Sequence, residues 1–99
     1  MQWMQENLHR PLTLAEVAGQ AAMSTRSLSR KFREQTGTTP LQWLLRQRVT
    51  RAQQLLETTD LPIERVATLA GFGSAVSMRQ HFVRHLLAPP QVYRRAFRG

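Results

Sequence analysis

The chain has no cysteine, a single lysine, a single tyrosine and only six acidic residues among 99. Each scarcity excludes something. Without cysteine there is no disulfide and no thiolate-bound zinc, and no redox compartment is indicated. No apolar run reaches the roughly 18 residues of a membrane span, and no signal-peptide pattern opens the chain. The expectation is a cytoplasmic, bacterial protein with no membrane partner. Strand-type alternation of apolar and polar residues is missing. Three histidines and six scattered carboxylates form no catalytic constellation. There is no glycine-rich phosphate loop and no nucleophile elbow. The chain therefore reads as no enzyme, with no cofactor. His81 and His85 stand four apart, but no third ligand lies near them in sequence, so no metal site is expected.

What the chain does have is apolar residues at 41%, enough for a folded core, and a formal charge of +8. Residues 1–49 and 50–99 each carry seven basic and three acidic groups, so the excess is shared between the halves. Thirteen of the fourteen cations are arginine, whose planar fork matches phosphates and guanine edges. A polyanion is the natural partner, nucleic acid before a membrane surface.

The longest regular pattern runs from Pro40 to Glu57. Leu41, Leu44, Leu45, Val49, Ala52, Leu55 and Leu56 recur at helical spacing and predict one buried face. Gln42, Arg46, Gln47, Thr50, Arg51 and Gln54 fall on the other. Eighteen such residues make a rod of roughly 27 Å. Before it, Met1 to about Leu8 predicts a short helix. Thr13 and Glu16 then form a capping-box pattern. Leu14, Val17, Ala18 and Ala21 follow as an amphipathic helix, and a turn at Ala22-Met23 leads to Ser24, a second cap. The next helix runs to about Thr36 and stops at Gly37.

After the rod the pattern returns. Ile63, Val66, Ala67 and Ala70 repeat Leu14, Val17, Ala18 and Ala21 at a displacement of 49. Beyond the turn the displacement is 50: Ser24 matches Ser74, Leu28 matches Met78, Phe32 matches Phe82, Pro40 matches Pro90 and Trp43 matches Tyr93. The second turn, Gly71-Phe72-Gly73, holds one extra residue. A closing helix from about Gln91 to Phe97 would bury Val92, Tyr93, Ala96 and Phe97 and expose Arg94, Arg95 and Arg98. The expected fold is all-α: seven helices, in two helix-turn-helix units joined by a long central linker helix. The units span 1–39 and 58–99, with the linker at 40–57.

A generic helical bundle would share these core spacings, but it does not explain the exposed faces. Opposite Leu28 and Phe32 lie Arg26, Ser29, Arg30 and Arg33, with no acidic residue among them. A face of this kind suits a major groove. Ser24 and Thr25 would offer hydroxyls and helix N–H groups to phosphate. Opposite Met78 and Phe82 lie Val76, Arg79, Gln80 and Val83. There Gln80 would pair with adenine, and Val76 would touch a thymine methyl or nothing.

These residues resemble the C-terminal DNA-binding domain of the AraC/XylS transcription regulators, over nearly the whole chain. The resemblance is carried by LTLAEVAGQAAMSTRSLSRKFREQTGTTPLQWL, RVTRAQQLLETTDLPIERVATLAGF and HFVRHLLAPPQVYRRAF, in the family's order and spacing. GFGSAVSMRQHF is similar to members with an amidotransferase-like sensor domain. The resemblance implies sequence-specific binding of double-stranded DNA for transcription regulation, with a recognition helix from each unit entering adjacent major-groove segments. It places base contacts at Arg26, Ser29, Arg30, Val76, Arg79 and Gln80. Backbone contacts are expected from Ser24, Thr25, Arg33, Ser74, Arg94 and Arg95. It also implies contact with RNA polymerase, and an N-terminal effector or dimerisation domain in an intact regulator of which this chain is a fragment; a stand-alone short regulator is the minority reading. Leu87 departs from the family, which usually has glycine there, so a different helix end is expected. The alternative function is a protein-interaction module docking an acidic partner or the polymerase.

Overall fold

The computed structural model describes residues 2–98, and all regular structure among them is helical. The helices are α1 (Gln2–Glu6), α2 (Leu14–Gln20), α3 (Thr25–Thr36), α4 (Pro40–Thr58), α5 (Ile63–Ala70), α6 (Ala75–Leu86) and α7 (Pro90–Arg98). Their starts follow from local chemistry. Thr13 and Glu16 close a capping box on α2, with Glu16 N donating to Thr13 Oγ1 at 3.1 Å. The Arg10 guanidinium, ahead of the Thr13 backbone N–H, holds the Glu16 carboxyl below its usual range. Ser24 and Ser74 cap α3 and α6 alike, each accepting from the N–H three residues on at 3.1 Å. The rod α4 has a capping box that spacing did not single out, in which Thr39 and Gln42 satisfy each other's backbone. Such caps answer donors that a helix leaves unpaired.

The internal repeat survives in three dimensions. Both short helices end in the same hydrogen-bonded turn: Met23 N donates to Ala18 O and Phe72 N to Ala67 O, each at 2.9 Å. Ala22 and Gly71 occupy the matching left-handed positions, at φ 53° and 91°. The extra residue of the second turn therefore lies after Phe72, at Gly73, which is again left-handed. Each recognition helix also meets a matched aromatic in edge-to-face contact: Phe32 with Trp43 at 6.0 Å, and Phe82 with Tyr93 at 5.4 Å.

There are two cores, and the rod contributes to both. Met4, Leu8, Val17, Ala18, Leu28, Phe32 and Leu44 form the first. Val49, Ala52, Leu56, Val66, Ala67, Ala70, Met78 and Phe82 form the second. Two cores strung along one helix make an elongated body of 45 × 22 × 21 Å with a radius of gyration of 14.5 Å. A compact chain of this length would have about 13 Å.

Several expected core positions lie elsewhere. Leu41 is 60% exposed, and Leu14 and Ala21 are exposed too. They sit at element ends, where Leu14 and Leu41 line an open groove and do not pack into the core. In α7, Val92, Ala96 and Phe97 are exposed, Phe97 at 57%, while Tyr93 is half-buried. Helix α7 meets the second core through Tyr93, its Pro90 is buried, and polar contacts add to the attachment. The Tyr93 hydroxyl donates to the Glu57 carboxylate and accepts from Gln53 Nε2 at 3.3 Å. The bond to Glu57 pushes the phenol's pKa up. Helix α1 is shorter than expected, and Met1 lies outside the described residues.

The least expected buried residue is Arg48, 8% exposed at the middle of the rod. Its Nε donates to Leu8 O at 3.1 Å and its Nη2 to Arg10 O at 2.9 Å. Burial pulls its pKa below the ordinary arginine value. Gly71 closes the same spot from the second unit: a Cβ there would lie 1.7 Å from Leu8 O and 2.8 Å from Arg48 Nε. This is where rod, first unit and second unit touch.

At the end of α6, Leu87 adopts the left-handed conformation a glycine would take, at φ 60°, and it is 87% exposed. The helix thus ends in the glycine manner despite the substitution, because Leu87 N still donates to Val83 O at 2.8 Å. A left-handed leucine is strained by about 1–2 kcal/mol, partly offset by the greater unfolded-state freedom of glycine. Leu87→Gly is therefore expected to stabilise the fold by a few tenths to about 1 kcal/mol. A thermal melt showing a lower Tm would refute the strain argument.

Candidate nucleic-acid interface

Helix α3 buries Leu28 and Phe32 and turns Arg26, Arg30 and Arg33 to solvent. None of these three guanidiniums has a hydrogen bond or ion pair among the described residues. Thr25 is exposed at the first turn. Ser24 is engaged as the cap, its Oγ also donating to Ser27 Oγ at 3.0 Å. Ser29 differs from the expectation of a fully outward face. It is half-buried and lines an apolar groove with Leu12, Leu14, Val17 and Leu41. At about 100° per residue Ser29 stands on the flank of the helix, beside the rod's first turn.

Helix α6 repeats the arrangement with less charge. Met78 and Phe82 point inward; Val76, Arg79, Gln80 and Val83 are exposed, Val76 at 62%. Helix α7 adds to this side. Arg95 is exposed and lines one shallow cleft with Arg79, Ile63, Pro89 and Gln91. The tertiary fold thus brings Arg95 beside the second reader.

Arg94 is placed otherwise. Its guanidinium is turned inward and donates to three backbone carbonyls: Leu56 O at 3.2 Å, Leu61 O at 2.7 Å and Thr59 O at 3.1 Å. Those carbonyls belong to the end of α4 and the loop after it, where helical acceptors lack partners. The expected phosphate contact from Arg94 gives way to a role as the cap of the rod's C-terminus. Arg98 is also taken up, in an ion pair with Asp60 that holds the Asp60 carboxyl below its usual range.

Of the two histidines of α6, His81 lies at the inner flank and His85 is exposed. His81 stacks on Phe72 with centroids 5.8 Å apart, and its Nδ1 is buried without a partner. Burial, then the charges of Arg84 and His85, push its pKa down. His85 Nδ1 lies 2.8 Å from His81 O, where its N–H donates to the carbonyl. Among the described residues no three His, Cys, Asp or Glu side chains converge as a metal site.

Two exposed helices, each set in the same two-helix unit and each free of ion pairing, therefore face solvent from one rod. Phosphate oxygens and base edges are the acceptors such groups fit.

Comparison with known proteins gives the same arrangement. Residues 17–96 match a family described as a helix-turn-helix domain. The chain is 37% identical over 84 residues to the HTH-type transcriptional regulator Rv1931c of Mycobacterium tuberculosis, covering 85% of this chain and 32% of that protein. It thus spans about a third of the length of that relative. Among solved structures, the DNA-binding domain of AdpA, a global transcriptional factor in complex with a target DNA, matches at a TM-score of 0.95 and 46% identity, covering 98% of this chain and 87% of that one. A transcriptional regulator of Chromobacterium violaceum, described among AraC-type DNA-binding domain-containing proteins, matches at 0.89 and 29% identity, covering 97% and 86%.

Proposed function

The chain belongs to the AraC-type helix-turn-helix family, and from that premise we propose that it binds double-stranded DNA sequence-specifically, in the cytoplasm, to regulate transcription. The family is one of DNA-binding regulator domains and not an enzyme family. The observation that carries the reading is the duplicated reader: α3 and α6, in matched units on one helix, both present unpaired donors to solvent. Successive major-groove faces of DNA lie about 34 Å apart. A body 45 Å long with one reader in each unit is commensurate with that spacing. One copy would then engage two adjacent groove segments, and α4 would set their register. Contact with RNA polymerase is proposed on the same family ground.

Base choice is assigned to Arg26, Arg30, Val76, Arg79 and Gln80, with Ser29 reaching from the flank. Backbone attraction is assigned to Thr25, Arg33, Arg95 and the helix N-termini capped by Ser24 and Ser74. The test separates the two classes. Arg30→Ala is expected to cost about 1–3 kcal/mol on a selected site and to relax preference at one base position. Arg33→Ala is expected to weaken all sequences alike and to lower the salt slope by about one. In vitro selection of duplex sites, followed by binding titrations over a range of salt, reads both. Unchanged affinity and unchanged preference for Arg30→Ala would remove it from the reader.

No helix among the described residues is long and apolar enough to cross a membrane.

A further inference from the structure

Between the two readers lies a cleft of about 290 Å³, whose lining includes Thr36, Thr38, Gln42, Arg46, His81 and Arg84. It brings together three elements: the end of α3, the first half of α4 and the second half of α6. No carboxylate lines it. Arg46 and Arg84 are exposed, and neither makes a hydrogen bond or ion pair among the described residues. Gln42 adds a third donor. Its Oε1 accepts from Thr38 Oγ1 at 2.7 Å and from Thr39 N at 3.4 Å, which orients the amide and leaves its NH₂ free.

The position of the cleft follows from helix periodicity. Arg84 lies one turn beyond Gln80 on α6, and Thr36 lies one turn beyond Arg33 on α3. The cleft therefore begins where each reader face ends. In a duplex read at two successive major-groove segments, the intervening stretch presents the minor groove and the two phosphate strands that border it. Unpaired guanidiniums at that place have phosphodiester oxygens as their natural acceptors.

We propose that this cleft is a phosphate clamp on the DNA between the two reader segments, with Arg46 and Arg84 as its charged jaws and the Gln42 amide as a neutral donor. It rests on the DNA-binding reading above and adds to it a contact that neither recognition helix supplies. Because the jaws come from the rod and from the second unit, they grip only when the two units hold their mutual position. The clamp therefore favours two-part sites of one spacing over either half alone, without reading any base.

The test uses this chain, its selected site, and the variants Arg46→Ala, Arg84→Ala and the double substitution. Both side chains are exposed and unbonded, so thermal melts are expected to match the parent and serve as the folding control. Each single variant is expected to lower the slope of log affinity against log salt by about one, and the double by about two. Base preference in a repeat selection should be unchanged. Neutral methylphosphonate linkages placed between the half-sites should weaken the parent and leave the double variant nearly unaffected. The same linkages at the outer ends should weaken both. A double variant with the parent's salt slope, or equal sensitivity of both proteins to the central linkages, overturns the clamp while leaving the DNA reading intact. Failure of the parent itself to bind any duplex at low salt overturns both.

Discussion

Gly71→Ala is expected to lower stability by about 3 kcal/mol or more, which is a shift of roughly 12 °C or more in Tm for a chain of this size. Two effects combine. The residue is left-handed at φ 91°, which strains any L side chain. The added Cβ would also stand 1.7 Å from Leu8 O, backbone that cannot swing aside as a side chain would. Gly37→Ala is the internal control. Gly37 is left-handed as well, at φ 74°, but a Cβ there meets nothing within 4 Å. Its substitution should show the conformational part alone, about 1 kcal/mol. The difference between the two melts measures the contact between units. Equal losses at both positions would mean that Leu8 and Gly71 are not pressed together in solution.

The functional consequence is specific. Gly71 opens the turn that leads to α6, so relief of the clash must move the second unit against the first. Binding to a two-part site should then fall further than the stability loss explains, while each half-site keeps its weak affinity.

Arg48→Ala is the second large effect, expected at about 3 kcal/mol. Hydrogen bonds from charged donors contribute roughly 1.5–3 kcal/mol each, and carbonyls left buried without a donor are costly in turn. Arg48 makes two such bonds, to Leu8 O and Arg10 O, and together they tie the segment between α1 and α2 to the middle of the rod. Arg48→Met keeps the apolar stem and removes only the donors, so it separates packing from hydrogen bonding. Arg48→Lys keeps the charge but lacks the fork, and should recover about half of the loss. Denaturant titrations of the three variants give the ranking. If methionine matches the parent, the bonds contribute nothing net and Arg48 acts as a hydrophobic stem. Proximity to Gly71 predicts non-additivity for the Arg48→Ala, Gly71→Ala pair, since both substitutions loosen the same contact.

Much of the architecture was legible in the residues because the signals are local. Thr13 with Glu16, Ser24, Ser74 and Gly37 mark helix ends through bonds to backbone three or four residues away. The repeat was legible because matched cores need matched spacings: Val17 and Ala18 return as Val66 and Ala67, and Phe32 returns as Phe82. The exposed reader positions follow from the same geometry, since the face opposite a buried stripe is known once the stripe is.

What failed to be legible depends on partners far away in sequence. Periodicity reports one apolar stripe per helix, yet α4 serves two cores in succession, and Leu41 lines an open groove at the edge of the first. Arg48 stands in the i, i+4 row of Leu44, Ala52 and Leu56, yet its polar type gives no local sign of burial, and only the folded chain brings Leu8 and Arg10 to it. Arg94 occupies the repeat position of Leu44; nothing local says that one is core and the other a cap for carbonyls 33 to 38 residues upstream. The spacing of α7 predicts a buried apolar face, but spacing cannot tell a helix packed along its whole stripe from one held by Tyr93 and Arg94.

Local signals along the chain set the helices, most of their ends, the twofold repeat, the arginine-rich excess of charge and the two faces left for a partner. Those follow from backbone hydrogen bonding, helical periodicity and composition, all of which act within a few residues. Tertiary packing alone sets which arginines are free and which are bonded, and that Arg46 and Arg84 line one cleft. It also decided that a glycine and a buried guanidinium fix one unit against the other. Those outcomes depend on which surfaces meet, and that is set by packing across separations of about forty to sixty residues.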